Sequence, residues 1–129
     1  MESGQQRSSL AKLSDADLPL LEENWQDVRG LDVYDVTDEQ IGRVEDLYID
    51  REARQPRFLV VSAGGGLLGV VGKKHVLIPV EEVRRDVGEE RVTVSVDREK
   101  VLNAPEFDVD IGVGDPNLQR AIEAYYGHR

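Results

Sequence analysis

Residues 57–80 read RFLVVSAGGGLLGVVGKKHVLIPV, in which two apolar runs flank a stretch rich in glycine. Both runs, 58–61 and 75–79, are short and rich in β-branched residues, a composition that favours strands over helices. The glycines between them can adopt left-handed backbone conformations at little cost. The sequence therefore predicts strands over 56–63 and 75–79, joined by a long hairpin loop.

The glycine-rich loop also has the spacing G-x-G-x-x-G of dinucleotide-binding folds, through Gly64, Gly66 and Gly69. That fingerprint requires a helix after the glycines, with its N-terminus facing the pyrophosphate. Here two valines and another glycine follow, so no helix of useful length fits. The phosphate-binding pattern G-x-x-x-x-G-K-[ST] fails as well, because position 67 is Leu and position 74 is Lys. We therefore expect no nucleotide cofactor.

The segments around this hairpin continue the strand pattern. Strands are predicted over 31–36, 41–50 and 91–96, with turns at 37–39, 51–55, 80–83 and 86–89. Within 41–50 the apolar positions slip by one between Ile41 and Val44, so we expect a bulge or bend near Gly42 and Arg43. Five or six short strands with short loops predict a mainly β fold, a small and strongly bent antiparallel barrel.

The N-terminal part of the chain is predicted to lie outside this barrel. Residues 1–13 are polar and are expected to form a loose tail. The sequence SDAD at 14–17 is typical of a helix start, and a short helix is expected to about residue 24, limited by Pro19.

The C-terminal part is predicted to contain one helical turn over 97–103, an acidic loop and a helix. Asp115 and Pro116 form a good helix start, and Gly127 a good helix end. The apolar residues of this helix fall near one face: Leu118, Ile122, Tyr125 and Tyr126. It is expected to pack either on the barrel or on another subunit.

Several segments together resemble one family, the PRC-barrel domain. They are DVRGLDVYD, IGRVEDLYID, RFLVVSAGGGLLGVVGKKHVLIPVEEV, RVTVSV and LNAPEFD, in that order, and the trailing AYYG resembles stand-alone bacterial members. The family includes the H subunit of the photosynthetic reaction centre and the ribosome-maturation factor RimM. The resemblance implies domain limits of 1–24 for the tail and short helix, 25–108 for the barrel, and 109–129 for the acidic loop and terminal helix.

Charge and cysteine content restrict the partners and the compartment. The chain has 129 residues and a formal net charge of -10, which disfavours direct binding to nucleic acid or to an anionic membrane. Cysteine is absent, and this suits a reducing cytoplasm. No apolar stretch approaches the ~20 residues of a transmembrane helix.

Residue types that support catalysis or metal binding are few and poorly arranged. The two histidines, His75 and His128, cannot form a metal shell alone, and the acidic loop after Asp108 departs from calcium-loop spacing. Whether that loop, 108–115, binds a cation stays open. Four aspartates could converge as acid–base groups, but an acidic chain needs no such explanation: Asp32, Asp35, Asp46 and Asp50. We expect no catalytic residue, no metal and no cofactor.

The resemblance implies a non-catalytic protein-interaction module, expected to act through a surface patch or an open strand edge. A homo-oligomer, most simply a dimer, is expected, and the protein partners are not specified by the sequence. The alternatives are a RimM-like ribosomal accessory factor and a subunit associated with a membrane complex, as the reaction-centre H subunit is. The candidate interaction residues are Leu67, Leu68, Lys73, Lys74, Tyr125 and Tyr126. Whether the two leucines cover the core of this chain or a partner's surface stays open.

Overall fold

A computed structural model of the chain describes residues 10–15, 27–64, 73–85, 90–106 and 116–127. The strands are β1 (Leu10–Lys12), β2 (Asp32–Tyr34), β3 (Gln40–Asp50), β4 (Gln55–Gly64), β5 (Lys73–Pro79), β6 (Val83–Arg85) and β7 (Arg91–Val94). The helices are α1 (Arg98–Leu102) and α2 (Pro116–Tyr125), and single 3₁₀ turns occupy Leu13–Asp15 and Val80–Glu82. The predicted mainly β fold with a C-terminal helix is confirmed.

The strands form one sheet in the order β5-β4-β3-β2-β7-β6, and β1 pairs with β3 off this path. The edge strands β5 and β6 are joined only by the 3₁₀ turn Val80–Glu82. Because three residues span roughly 10 Å at most, the two edges lie close together and the sheet curls into a half-barrel. The expectation of a wholly antiparallel sheet is wrong at one place, since β2 and β7 are parallel.

The long strand β3 contains the predicted register slip as two bulges that flank Gly42 and Arg43. Against β2, Val33 pairs with Gly42 and Tyr34 with Gln40, so Ile41 is the extra residue. Against β4, the pairing passes from Val44 to Asp46 and leaves Glu45 extra. Such bulges increase bending and twist, which allows a single strand to serve both halves of a curled sheet.

Strands β4 and β5 are buried on both faces. In β4 the residues from Phe58 to Val61 are exposed by at most 2%, and in β5 the same holds from Val76 to Ile78. Because side chains alternate between faces, continuous burial requires a cover on each side of the sheet. The helical part of the chain contributes four residues to the core: Val101, Ala104, Ile122 and Tyr126. The C-terminal helix therefore packs on the barrel of its own chain.

The N-terminal segment is the main correction. Leu10 pairs with Asp50 as part of β1, and Leu10 and Leu13 are buried in the core. The loose tail predicted to residue 13 is therefore wrong for 10–13, because two leucines in a polar context are buried by pairing with a distant strand. The predicted helix over 14–24 lies mostly outside the described residues, as do the turn at 86–89 and most of the acidic loop.

Candidate functional site

The turn between β2 and β3 is organised around Asp35, which is 2% exposed. Its Oδ1 atom accepts hydrogen bonds from the backbone N–H of Thr37 (2.8 Å), the hydroxyl of Thr37 (2.7 Å) and the N–H of Glu39 (2.9 Å). Its Oδ2 atom accepts from the N–H of Arg98, the first residue of α1, at 2.8 Å. One carboxylate thus fixes the turn and joins it to a helix.

The ionisation of Asp35 follows from these bonds. Burial acts to raise the pKa of the carboxyl group, because a charge is poorly solvated inside a protein. Hydrogen bonds from Thr37, Glu39 and Arg98 outweigh burial and hold the pKa below its ordinary value. The carboxylate is therefore charged at neutral pH, which strengthens the four hydrogen bonds that it accepts.

A second set of contacts fixes the far side of the same turn. The carboxylate of Asp38 accepts a hydrogen bond from the guanidinium of Arg91 in β7. That guanidinium lies 3.8 Å from the ring centroid of Tyr34, within the range of a cation–π contact. Asp38 has a φ of 71°, a left-handed conformation that aspartate tolerates better than most residues.

Between these anchors the turn exposes an apolar side chain. Val36 is 60% exposed, and it is the only large apolar side chain exposed in the part of the chain that the structure describes. It borders a groove of about 170 Å³ beside β6 and β7. The groove is lined by Val36, Glu81, Glu82, Val83, Arg84, Thr93, Val94 and Ser95. We call this the Val36 groove.

The edges of the described sheet give little room for an added strand. β6 has only three residues, and the N–H of Val83 already donates to the carbonyl oxygen of Val80. β5 is longer, but its residues 76–79 are buried. Short and covered edges are the usual protection against strand addition. Among these two edge strands, the described residues therefore offer little open edge, and the expectation of an open strand edge stays a prediction.

Comparison with known families agrees with this architecture. The sequence model of the PRC-barrel domain matches residues 22–101, which is more than half of the chain. The chain belongs to the PRC-barrel family. Among curated proteins, none matches it.

Two of the candidate interaction residues of this PRC-barrel protein, Lys74 and Tyr125, bind the short helix α1. The Lys74 ammonium donates to the carbonyl oxygen of Leu102 at 2.8 Å, and the Tyr125 hydroxyl donates to that of Lys100 at 2.6 Å. Both carbonyls belong to the last turn of α1, where no intrahelical N–H reaches them. Lys74 and Tyr125 therefore dock α1 and α2 on the barrel.

Tyr126 is buried beside Tyr125. It is 5% exposed, and its ring makes an edge-to-face contact with Tyr125 at 5.1 Å. Its hydroxyl has no hydrogen-bond partner among the described residues. The pKa of Tyr126 is raised above its ordinary value. Burial is the largest cause, followed by the neighbouring Tyr125 and the carboxylate of Glu82. Leu67, Leu68 and the side chain of Lys73 lie outside the described residues, and the interaction role of all six candidates stays a prediction.

The four aspartates weighed as acid–base groups have separate structural roles. Asp46 accepts hydrogen bonds from Ser14 and from the N–H of Leu47. Asp50 accepts from two N–H groups of the β3–β4 turn. Asp32 faces Arg43 at 3.5 Å. They therefore do not form a joint acid–base site.

The described part of the chain contains neither a cluster of metal-ligating side chains nor a helix that could span a membrane. His75 contacts Glu45 at 3.3 Å, and no group of three His, Cys, Asp or Glu residues there could hold a metal ion. Of the two described helices, neither is long and apolar enough to cross a membrane.

The sequence interpretation missed the Val36 groove. The sequence pattern places residue 36 at the end of a strand, whereas β2 ends at Tyr34 and Val36 lies in the turn. The sequence D-V-T at 35–37 carried a usable signal, because an aspartate followed two residues later by threonine favours a side-chain-bonded turn. The groove also needs residues 81–84 and 93–95, which only the folded sheet brings together.

Proposed function

We propose that this PRC-barrel protein is a non-catalytic protein-interaction module, and that its contact surface is the Val36 groove. The observation that carries the proposal is the exposed side chain of Val36. A rigid turn with four hydrogen bonds to Asp35 holds this side chain in water beside a partly apolar groove. Pre-organised surfaces lose less conformational entropy on binding than flexible ones.

The absence of catalysis is part of the same proposal. Three of the four aspartates weighed as acid–base groups already serve as hydrogen-bond acceptors within the fold: Asp35, Asp46 and Asp50. Groups used in this way are poorly placed to exchange protons with a substrate. A cytoplasmic location also belongs to the proposal, since a chain without cysteine suits a reducing compartment.

A dimer, if it forms, is expected to use side chains. The edge strand β6 is short and part of β5 is covered, so strand-to-strand pairing between copies is disfavoured. A two-fold contact at the Val36 groove would bury the same apolar patch on both copies. Light scattering coupled to gel filtration measures the mass in solution, and a monomer at high concentration would reject self-association.

The experiment for the interaction role is affinity capture from a native lysate with three forms of the chain. Val36→Asp places a charge in the groove, whereas Ala53→Asp makes the same charge change in the exposed β3–β4 turn, which does not line the groove. We expect partners captured by the wild type to be lost with Val36→Asp and kept with Ala53→Asp. Partners that bind all three forms equally would contradict the proposal.

A further inference from the structure

The Val36 groove combines apolar side chains with negative charge. Its valines are Val36, Val83 and Val94, and its charged groups are two glutamates and one arginine. The groove is therefore neither a purely apolar patch nor a purely ionic one. A side chain with an aliphatic stem and a charged end matches such a lining, because it can contact both kinds of group at once.

The two glutamates of the groove differ in their contacts. The carboxylate of Glu82 accepts a hydrogen bond from the hydroxyl of Ser95, so it is held against β7. Glu81 is exposed, and it has no hydrogen-bond or ion-pair partner among the residues that the structure describes. Glu81 is therefore the carboxylate that can meet a charge brought by a partner.

The net charge of the whole chain also favours a basic partner. A formal net charge of -10 attracts basic surfaces and repels acidic ones over distances near the Debye length. Complementary charge raises the rate of encounter and selects among partners more than it adds affinity. The local carboxylate and the overall charge thus select the same class of partner.

We propose that the Val36 groove binds a lysine or arginine side chain from an extended segment of a basic partner protein. The aliphatic stem lies against Val36 and Val83, and the cationic end meets the carboxylate of Glu81. The inference rests on the proposed function, because it names the partner of the same groove.

The test is a titration of the ¹⁵N-labelled full chain, followed by NMR, with three peptides capped at both ends. The probe KVKVKV carries lysines, EVEVEV reverses the charge, and a third peptide replaces each lysine of KVKVKV by 2,4-diaminobutyric acid, which keeps the charge and halves the aliphatic stem. We expect saturable shifts at Val36, Val83 and Ser95 with the first peptide and weaker binding of the other two. Raising the salt concentration is expected to weaken the binding of KVKVKV most, because salt screens the attraction between opposite charges.

Two substitutions that each remove one negative charge show where the ionic contact lies. Glu81→Gln removes the free carboxylate of the groove, and Glu52→Gln removes one from the exposed β3–β4 turn. Because exposed ion pairs contribute modestly to binding free energy, we expect Glu81→Gln to weaken the affinity for KVKVKV roughly two- to fivefold. Glu52→Gln is expected to leave the affinity unchanged.

Several outcomes would overturn the inference, and one separates it from the proposed function. Equal binding of KVKVKV and of the peptide with the shortened stem, or equal effects of the two substitutions, would mean a general attraction to an acidic surface. Binding of EVEVEV in the groove as tight as KVKVKV would reject a basic partner and leave the groove as an interaction site. Shifts absent from the groove, with partners still lost in the Val36→Asp capture, would reject the inference alone.

Discussion

At the scale of single residues, Asp35 and Val36 have opposite environments although they are neighbours. Asp35 is buried and accepts four hydrogen bonds, whereas Val36 is mostly exposed. The usual preference places the valine inside and the aspartate outside. The reversal has a physical basis, because the carboxylate replaces the water that the turn's N–H groups would otherwise bind, and the valine is left at the tip.

The Asp35 carboxylate should control stability in a pH-dependent way. Asp35→Asn turns an amide N–H₂ toward one of the present donors and should cost about 1–3 kcal/mol at pH 7. The folded pKa of Asp35 is lowered, so its contribution is complete above the unfolded pKa of about 3.9 and is lost as the pH falls through the folded value. Urea unfolding at pH 7 and pH 3 measures both effects. An equal loss at both pH values would contradict this assignment.

Position 42 requires glycine because the backbone of a neighbouring strand occupies the space that a side chain would need. A Cβ atom at this position would lie 2.0 Å from the carbonyl oxygen of Ser62, a backbone atom of β4. Gly42→Ala should therefore cost more than Gly30→Ala, which meets no atom within 4 Å but must keep a φ of +89°. We expect about 1–2 kcal/mol for Gly30→Ala, from the left-handed conformation, and more for Gly42→Ala. Thermal unfolding of both variants measures which substitution destabilises the protein more.

At the scale of elements, α1 is too short to be stable alone, so its contacts decide whether it forms. Asp97 caps its start by accepting from the N–H of Lys100, and Asp35 binds the N–H of Arg98. At its end, Lys74 and Tyr125 bind two carbonyl oxygens. A five-residue helix has few internal bonds, so these outside partners supply most of its stability.

The contacts at the end of α1 predict the effects of two substitutions. Tyr125→Phe removes one neutral hydrogen bond and should cost about 0.5–1.5 kcal/mol, and Lys74→Met removes a charge-assisted one and should cost as much or more. Amide hydrogen exchange should speed up in α1 and α2 in both variants. Arg51→Met, in an exposed turn, is the matched control and should change neither quantity. Unchanged exchange in α1 would contradict the docking role.

At the scale of the whole molecule, the sequence predicts the parts that depend on local pattern. Strands β3, β4 and β5 contain apolar runs or regularly spaced apolar residues and are bounded by turns or a glycine-rich stretch, so the sequence predicts most of each strand. β1 has three residues and pairs with a distant strand, and the parallel pairing of β2 with β7 is likewise non-local. Such pairings leave no periodic signal in the sequence.

The candidate site was harder to predict than the fold. The six predicted interaction residues are apolar, aromatic or cationic side chains near loops and in the terminal helix. Tyr125, Tyr126 and Lys74 pack or bond within the chain, and their role in an interaction stays a prediction. The Val36 groove draws on three separate segments, and its exposed valine looked like a strand residue.

The central claim, that the Val36 groove is the surface on which this PRC-barrel protein binds its partner, is tested most directly by site-specific photo-crosslinking in living cells. A photoreactive benzoyl-phenylalanine at position 36 is compared with the same group at position 53, in the exposed β3–β4 turn. The account predicts a discrete, light-dependent adduct with another protein from position 36 and none from position 53. No adduct from position 36, or the same adducts from both positions, would contradict it.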